Sequence, residues 1–179
     1  MKATHWEIDS AHSEIHFKIR HLLITNITGS FNVFSGRFVT PKHDTFDEAY
    51  FTIAIDVYSI DTNNRERDEH LKSPDFFNAD EFPEIKFIST SLKHIKGDSY
   101  KLGGKLTVKG ITKEVTVDAL FGGYAKDGFG VNRAGFEISG VINRNDFGIH
   151  ADDVTEAGGL VLGEDIKLHA SVQFTEIKE

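Results

Sequence analysis

The feature that most limits what this chain can fold into is a two-residue alternation of apolar and polar side chains, which returns along almost its whole length. Over residues 13–21, Ile15, Phe17 and Ile19 point to one face while Glu14, His16, Lys18 and Arg20 point to the other, the mark of a half-buried strand. The period recurs at Phe51, Ile53, Ile55 and Val57, at Leu102, Leu106 and Val108, and at Val115, Val117, Ala119 and Phe121. It returns at Phe136, Ile138 and Ile142, and again at Ile166, Leu168, Ala170, Val172 and Phe174. With residues 31–39 and 85–91 this gives about eight strands on short links, the pattern of an antiparallel barrel or sandwich. Glycines such as Gly36, Gly104 and Gly140 punctuate the run, several of them within strands, where they let a sheet bend. The expected fold is therefore all-β, an eight-stranded antiparallel barrel in one domain over residues 1–179.

One segment breaks the alternation. Residues 63–87 read NNRERDEHLKSPDFFNADEFPEIKF, a charged stretch set directly against a cluster of phenyl rings. Asn63 can cap a helix with Glu66 three residues on, and Leu71 follows Arg67 at helical spacing. The helix is expected to end near Ser73, with a second turn from Pro74 and a return to strand after Pro83. Strand patterns on both sides place this helical insert at a barrel rim, where ligands enter. Phe76, Phe77 and Phe82 would then form a lid.

Composition narrows the function. The net charge of −8 and the scattering of the basic residues disfavour nucleic acid and anionic membrane surfaces. There is no cysteine, so disulfides, thiolate metal sites and cysteine nucleophiles are excluded. No stretch has the apolar length of a membrane span, and the first nine residues contain no apolar leader, which predicts a cytoplasmic protein. Phenylalanine is unusually abundant at 15 residues, against 4 tyrosines and 1 tryptophan, and phenyl rings bring apolar area without a hydroxyl to satisfy.

Tests for reactive chemistry give little. Nine histidines raise the question of a metal, but His12 and His16 on one strand face would stand roughly 13 Å apart. His150, Asp152 and Asp153 have suitable donor atoms without a metal-binding spacing. No nucleophile elbow and no phosphate-cradling loop is present. The adjacent acids Asp68–Glu69 and Asp152–Asp153 have the look of solvated surface rather than of an acid–base pair. No metal, cofactor or catalytic residue is expected. Arg67 and Asp68, like the later run Arg144-Asn145-Asp146-Phe147-Gly148, read either as clasps pinning the insert to the barrel or, for the arginine, as a contact to a polar ligand head. His21 continues the inward face of its strand and is expected inside or at the mouth.

Taken in order, the motifs resemble one family. They are Trp6-Glu7-Ile8-Asp9 with His12-Ser13, Gly29-Ser30-Phe31 with Phe34-Ser35-Gly36, and Ser59-Ile60-Asp61-Thr62 running through Arg67-Asp68-Glu69-His70-Leu71 to Asp75-Phe76-Phe77. Phe82-Pro83-Glu84-Ile85-Lys86-Phe87, the stretch from Gly104 to Gly110, and the stretch from Ile142 to Gly148 complete the set. The chain thus resembles the YceI-like proteins, lipocalin-like barrels that bind polyisoprenoids. The resemblance implies a barrel with a helical insert around an elongated apolar tunnel, holding a polyisoprenoid or fatty-acyl chain, in a protein that is often a homodimer. It implies a binding or transport protein and not an enzyme.

On this reading the ligand contacts come from Ile15, Phe17, Ile19 and His21 on one strand and from Phe31, Ile53 and Ile55 on the next two. Phe87, Leu106, Phe136 and Ile138 would line the far wall, with Arg67, Phe76, Phe77 and Phe82 at the lid. Two other readings stay open: a protein-interaction or stress-related barrel filled by its own side chains, and a hydrolase or isomerase acting on an apolar substrate.

Overall fold

The computed structural model describes residues 3–41, 46, 48–151 and 161–178. It contains the strands β1 (Thr4–Ile8), β2 (Glu14–His21), β3 (Thr25–Phe31), β4 (Phe34–Thr40), β5 (Tyr50–Asp56) and β6 (Ile60–Asp61), then one helix, α1 (Arg65–Lys72). After the helix come β7 (Glu84–Lys96), β8 (Ser99–Val108), β9 (Ile111–Lys126), β10 (Asn132–Asn143) and β11 (Leu162–Ile177).

All eleven segments belong to one antiparallel sheet, and pairing of β1 with β11 closes it. They amount to eight staves, because β1 with β2, β3 with β4 and β5 with β6 are single strands interrupted midway. The first half of β11 pairs with β2 (Ile15 opposite Ala170, Ile19 opposite Ile166), and its second half pairs with β1 (Ile8 opposite Phe174). This is the closed eight-stranded barrel expected from the alternation together with the glycines inside strands.

The three interruptions lie side by side, the first bonded to β11 and the second and third to each other. At the first, the Asp9 side chain caps a one-turn 3-10 helix, Ser10–His12, and the Ser13 hydroxyl takes up the Gln173 amide at 2.9 Å. At the second and third, Asn32 N–H donates to Ser59 O and Asp56 N–H to Val33 O. These bonds take up main-chain groups that the ladder leaves free at each bend. Alternation shows none of these breaks, and the expected strand over residues 31–39 is in fact two, split at Asn32 and Val33.

The interior divides into two apolar clusters. One end is plugged by rings. Phe38 and Phe51 stack with centroids 4.3 Å apart, Phe136 meets both edge-on, and Phe174 closes the group. Phe38 and Phe174 have no solvent exposure. Offset and edge-on pairs of this kind are each worth about 0.5–1.5 kcal/mol beyond the area they bury. The other cluster gathers Phe31, Val57, Ile60, Ile85, Ile142, Phe147 and Ile149 below the insert.

The insert follows the sequence reading with one shift. Asn64, not Asn63, is the helix cap: its Oδ1 accepts from Arg67 N at 3.0 Å, while Asn63 adopts a left-handed φ of 60° that carries the chain out of β6. Ser73 ends the helix, and residues 74–82 form hydrogen-bonded turns rather than a second helix. No helix among the described residues is long and apolar enough to cross a membrane.

Candidate functional site

Between the ring plug and the insert lies a cavity of about 390 Å³ whose wall is almost entirely carbon. The barrel walls supply Ile15, Phe17 and Ile19 from β2, Ile53 and Ile55 from β5, Phe87 from β7 and Leu106 from β8. Ile138 and Ile142 come from β10, and Ile166, Leu168 and Ala170 from β11. Phe51 and Phe174 of the plug form its floor.

Room for the cavity comes from small residues opposite large ones. Phe17 faces Gly29 across the β2–β3 ladder, and a Cβ at position 29 would stand 2.7 and 2.9 Å from Cε1 and Cε2 of that ring and closer still to Cζ. Phe87 lies over Gly104 in the same way, 2.5 Å from where a Cβ would be. Each ring rests against bare main chain and leaves the centre of the barrel open.

At the insert end, Leu71, Phe76 and Phe77 face the cavity. Phe77 meets Phe31 edge-on at 6.1 Å, and Phe76 meets His70 at 4.9 Å. Arg67 also lines this end, with two of its three nitrogens engaged: Nε donates to Thr62 Oγ1 at 2.8 Å and Nη2 to Thr62 O at 2.6 Å. Asp68 holds the same residue, accepting from Thr62 N at 2.9 Å and Thr62 Oγ1 at 2.5 Å. Arg67 and Asp68 are thus two jaws on buried Thr62, which fixes the helix to the end of β6. Hydrogen bonds to Thr62, not a charge pair between the jaws, make the clasp.

The second motif works alike. Arg144, only 4% exposed, donates to the carbonyls of Ile149, Ala151, Leu162 and Gly163 and to Asn145 Oδ1. It ties the residues after β10 to the start of β11, and Gly148 at φ 67° lets Phe147 turn inward.

Twelve of the fifteen expected contacts stand on the cavity wall, since only His21, Phe82 and Phe136 of that set are absent from its lining. Phe136 has the right face and the wrong depth, being 2% exposed inside the ring plug. Phe82 packs outside the barrel against Gly110 in the β8–β9 turn. His21 ends its strand beyond the cavity, beside Leu162 and Thr25. Conversely, Leu71, Phe147, Ile149, Leu162, Ile166 and Leu168 line the cavity though they were not among the expected contacts. The alternation of β11 was the signal for Ile166 and Leu168.

The ionisable side chains on its lining, among the described residues, are His16, Arg67, His70, Arg144 and His169. Among the described residues no group of histidine and carboxylate side chains could hold a metal ion. Of the candidate trio, His150 bonds Asn145 Oδ1 at 3.0 Å, and Asp152 and Asp153 lie outside the described residues. Glu69, neighbour of Asp68, pairs with Lys72 at 3.0 Å on the exposed helix surface.

A closed antiparallel barrel with a carbon-lined hollow and a helical cap is a lipocalin-like architecture. The chain belongs to the YceI-like domain family, whose profile matches residues 6–174. It is 39% identical over 173 residues to UPF0312 protein SAS2572 of Staphylococcus aureus, covering 96% of this chain and 98% of that one. Among solved structures it is similar to the Campylobacter jejuni YceI protein, with a TM-score of 0.75, 32% identity and coverage of 90% and 91%. A polyisoprenoid-binding domain from Saccharophagus degradans shares the fold at a TM-score of 0.71 and 14% identity, covering 95% of this chain and 97% of that domain.

Proposed function

We propose that this protein binds and carries a long apolar chain, of isoprenoid or fatty-acyl type, in its barrel and performs no chemistry on it. The observation that carries the reading is the cavity: about 390 Å³ lined almost wholly by carbon, with Arg67 and Arg144 at its edges bonded to protein acceptors. At about 24 cal/mol per Å³, such a void left empty would cost roughly 9 kcal/mol. That is comparable with the whole stability of a domain. A methylene chain filling it instead gains about 0.8 kcal/mol for each group removed from water. Water is a poor substitute, because it needs polar partners that this wall does not offer. The structural likeness to a polyisoprenoid-binding domain agrees with the reading.

Carbon dominates the wall, so selectivity rests chiefly on shape and length. The test is organic extraction of purified protein followed by mass spectrometry. A chain lipid near one per protein is expected; a protein free of lipid that also fails to take up a fluorescent fatty acid would overturn the proposal.

A further inference from the structure

The β2–β3 hairpin turns through Leu22, Leu23 and Ile24, which are 38%, 57% and 73% exposed. Leu22 and Leu23 both hold left-handed backbone, at φ 52° and 61°. Two consecutive positive-φ residues form the turn for which Asn-Gly is the comfortable pair, and bulky leucines are poor occupants. The turn is held regardless: Ile24 N–H donates to His21 O, Leu22 N–H to Val161 O, and Arg20 Nη2 to Leu23 O at 3.1 Å. Three large apolar side chains are thus kept in water, two of them on backbone that disfavours them. A gain made elsewhere explains their presence.

The position of the tip indicates where. Ile19 and Ile27 face each other immediately behind it, Leu162 sits opposite His21, and all three line the cavity. An apolar track therefore runs from the tip to the hollow. The hairpin is also electrostatically distinct within a chain of net charge −8: from Ile15 to His43 there is no acidic side chain, while Lys18 and Arg20 stand beside the tip. Glu164 and Asp165 on neighbouring β11 make the rim mixed rather than strongly basic.

We infer that the Leu22-Leu23-Ile24 tip inserts into a lipid bilayer and docks the unplugged end of the barrel against it, so that an apolar chain passes between membrane and cavity without crossing water. Exposed apolar side chains flanked by cations are the means by which peripheral proteins seat themselves in the interface. The purpose assigned to the docking rests on the lipid-carrier reading above; the docking itself can be measured separately.

The test is flotation of the full chain with vesicles of phosphatidylcholine containing a minor fraction of phosphatidylglycerol. Leu22→Asn with Leu23→Gly is the informative variant, because it suits the turn better and should raise the thermal midpoint while vesicle association falls roughly tenfold or more. Phe129→Ser is the control: Phe129 is 95% exposed in the β9–β10 turn at the opposite end, and its loss should leave flotation unchanged. Failure of the unaltered protein to float, or equal flotation of the hairpin variant, overturns the inference. So does a change of oligomeric state in that variant with vesicle binding intact, which would make the tip a contact between protein chains. Lipid extraction from the same preparations keeps the two readings apart: an empty cavity with intact flotation removes the carrier and leaves the docking, and a filled cavity without flotation does the reverse.

Discussion

Phe17 rests its ring on the bare main chain of Gly29, the residue opposite it on the next strand. This one pairing shows how a barrel of only eight strands keeps a hollow: the large side chain is drawn to the wall because its neighbour has none. Gly29→Ala should push the ring into the lumen. The expected loss of stability is about 1–3 kcal/mol, with a larger proportional loss in uptake of a fluorescent fatty acid. Gly104→Ala should cost more stability, because its Cβ would also meet the Ile88 carbonyl oxygen at 2.5 Å, and main chain yields less readily than a ring. Urea midpoints and probe titrations on both variants check the contrast.

Phe76 turns from the insert toward the cavity, against the His70 ring. Phe76→Asp places a carboxylate where an apolar chain would lie, and desolvating it there is costly. Retention of lipid should be abolished while far-UV circular dichroism stays that of the barrel. Unaltered retention would remove this ring from the contact surface.

Arg67 and Asp68 converge on Thr62, and the loss of either jaw should be felt in the folded protein even without ligand. Arg67→Ala should lower the stability of delipidated protein by about 1.5–3 kcal/mol, the range for hydrogen bonds to charged groups. Thr62→Val should produce a loss that does not add to it. A fall in lipid affinity at unchanged stability would instead make Arg67 a ligand contact.

Arg133 on β10 is held between Asp9 at 2.6 Å and Asp127 at 2.9 Å, pinning the start of the chain to the plugged end of the barrel. Burial alone would raise the Asp9 carboxyl, but hydrogen bonds from His12 and Arg133 outweigh it and hold the group below its ordinary 3.8. Asp127 is lowered chiefly by the Val131 amide, against some burial, with Arg133 adding to the effect. A carboxylate lowered in the folded state stabilises fully above its unfolded value, and that stability is lost as pH falls through the folded value. Thermal midpoints should therefore drop steeply below about pH 4, and Arg133→Ala should flatten that limb. An unchanged slope in the variant would show that other carboxylates set it.

Alternation was enough to read the strands and the inward face of most of them, because a strand with one wet side must repeat every two residues, and the glycines within strands turned the choice from sandwich to barrel. It could not give depth. Phe136 and Ile138 share one face of β10, yet the first is locked in the ring plug and the second borders the cavity. Only the stack of Phe38 and Phe51, brought together from β4 and β5, decides where packing stops and hollow begins. The three strand breaks were hidden for a related reason. They are set by hydrogen bonds between residues distant in sequence, such as Ser13 with Gln173 and Asn32 with Ser59, which leave no local period. The clasp was legible as charge beside phenyl, and Thr62 stood in the motif before it, but that both jaws close on Thr62 emerges only from the fold.

The most direct measurement is a high-resolution crystal structure of the protein as purified, without added ligand. Continuous density for one apolar chain, running from the lid at Phe76 and Phe77 past Ile53, Phe87, Leu106 and Ile138 to the floor at Phe51 and Phe174, is the result expected. Side chains collapsed together across that space, with no density between them and no void, would contradict it.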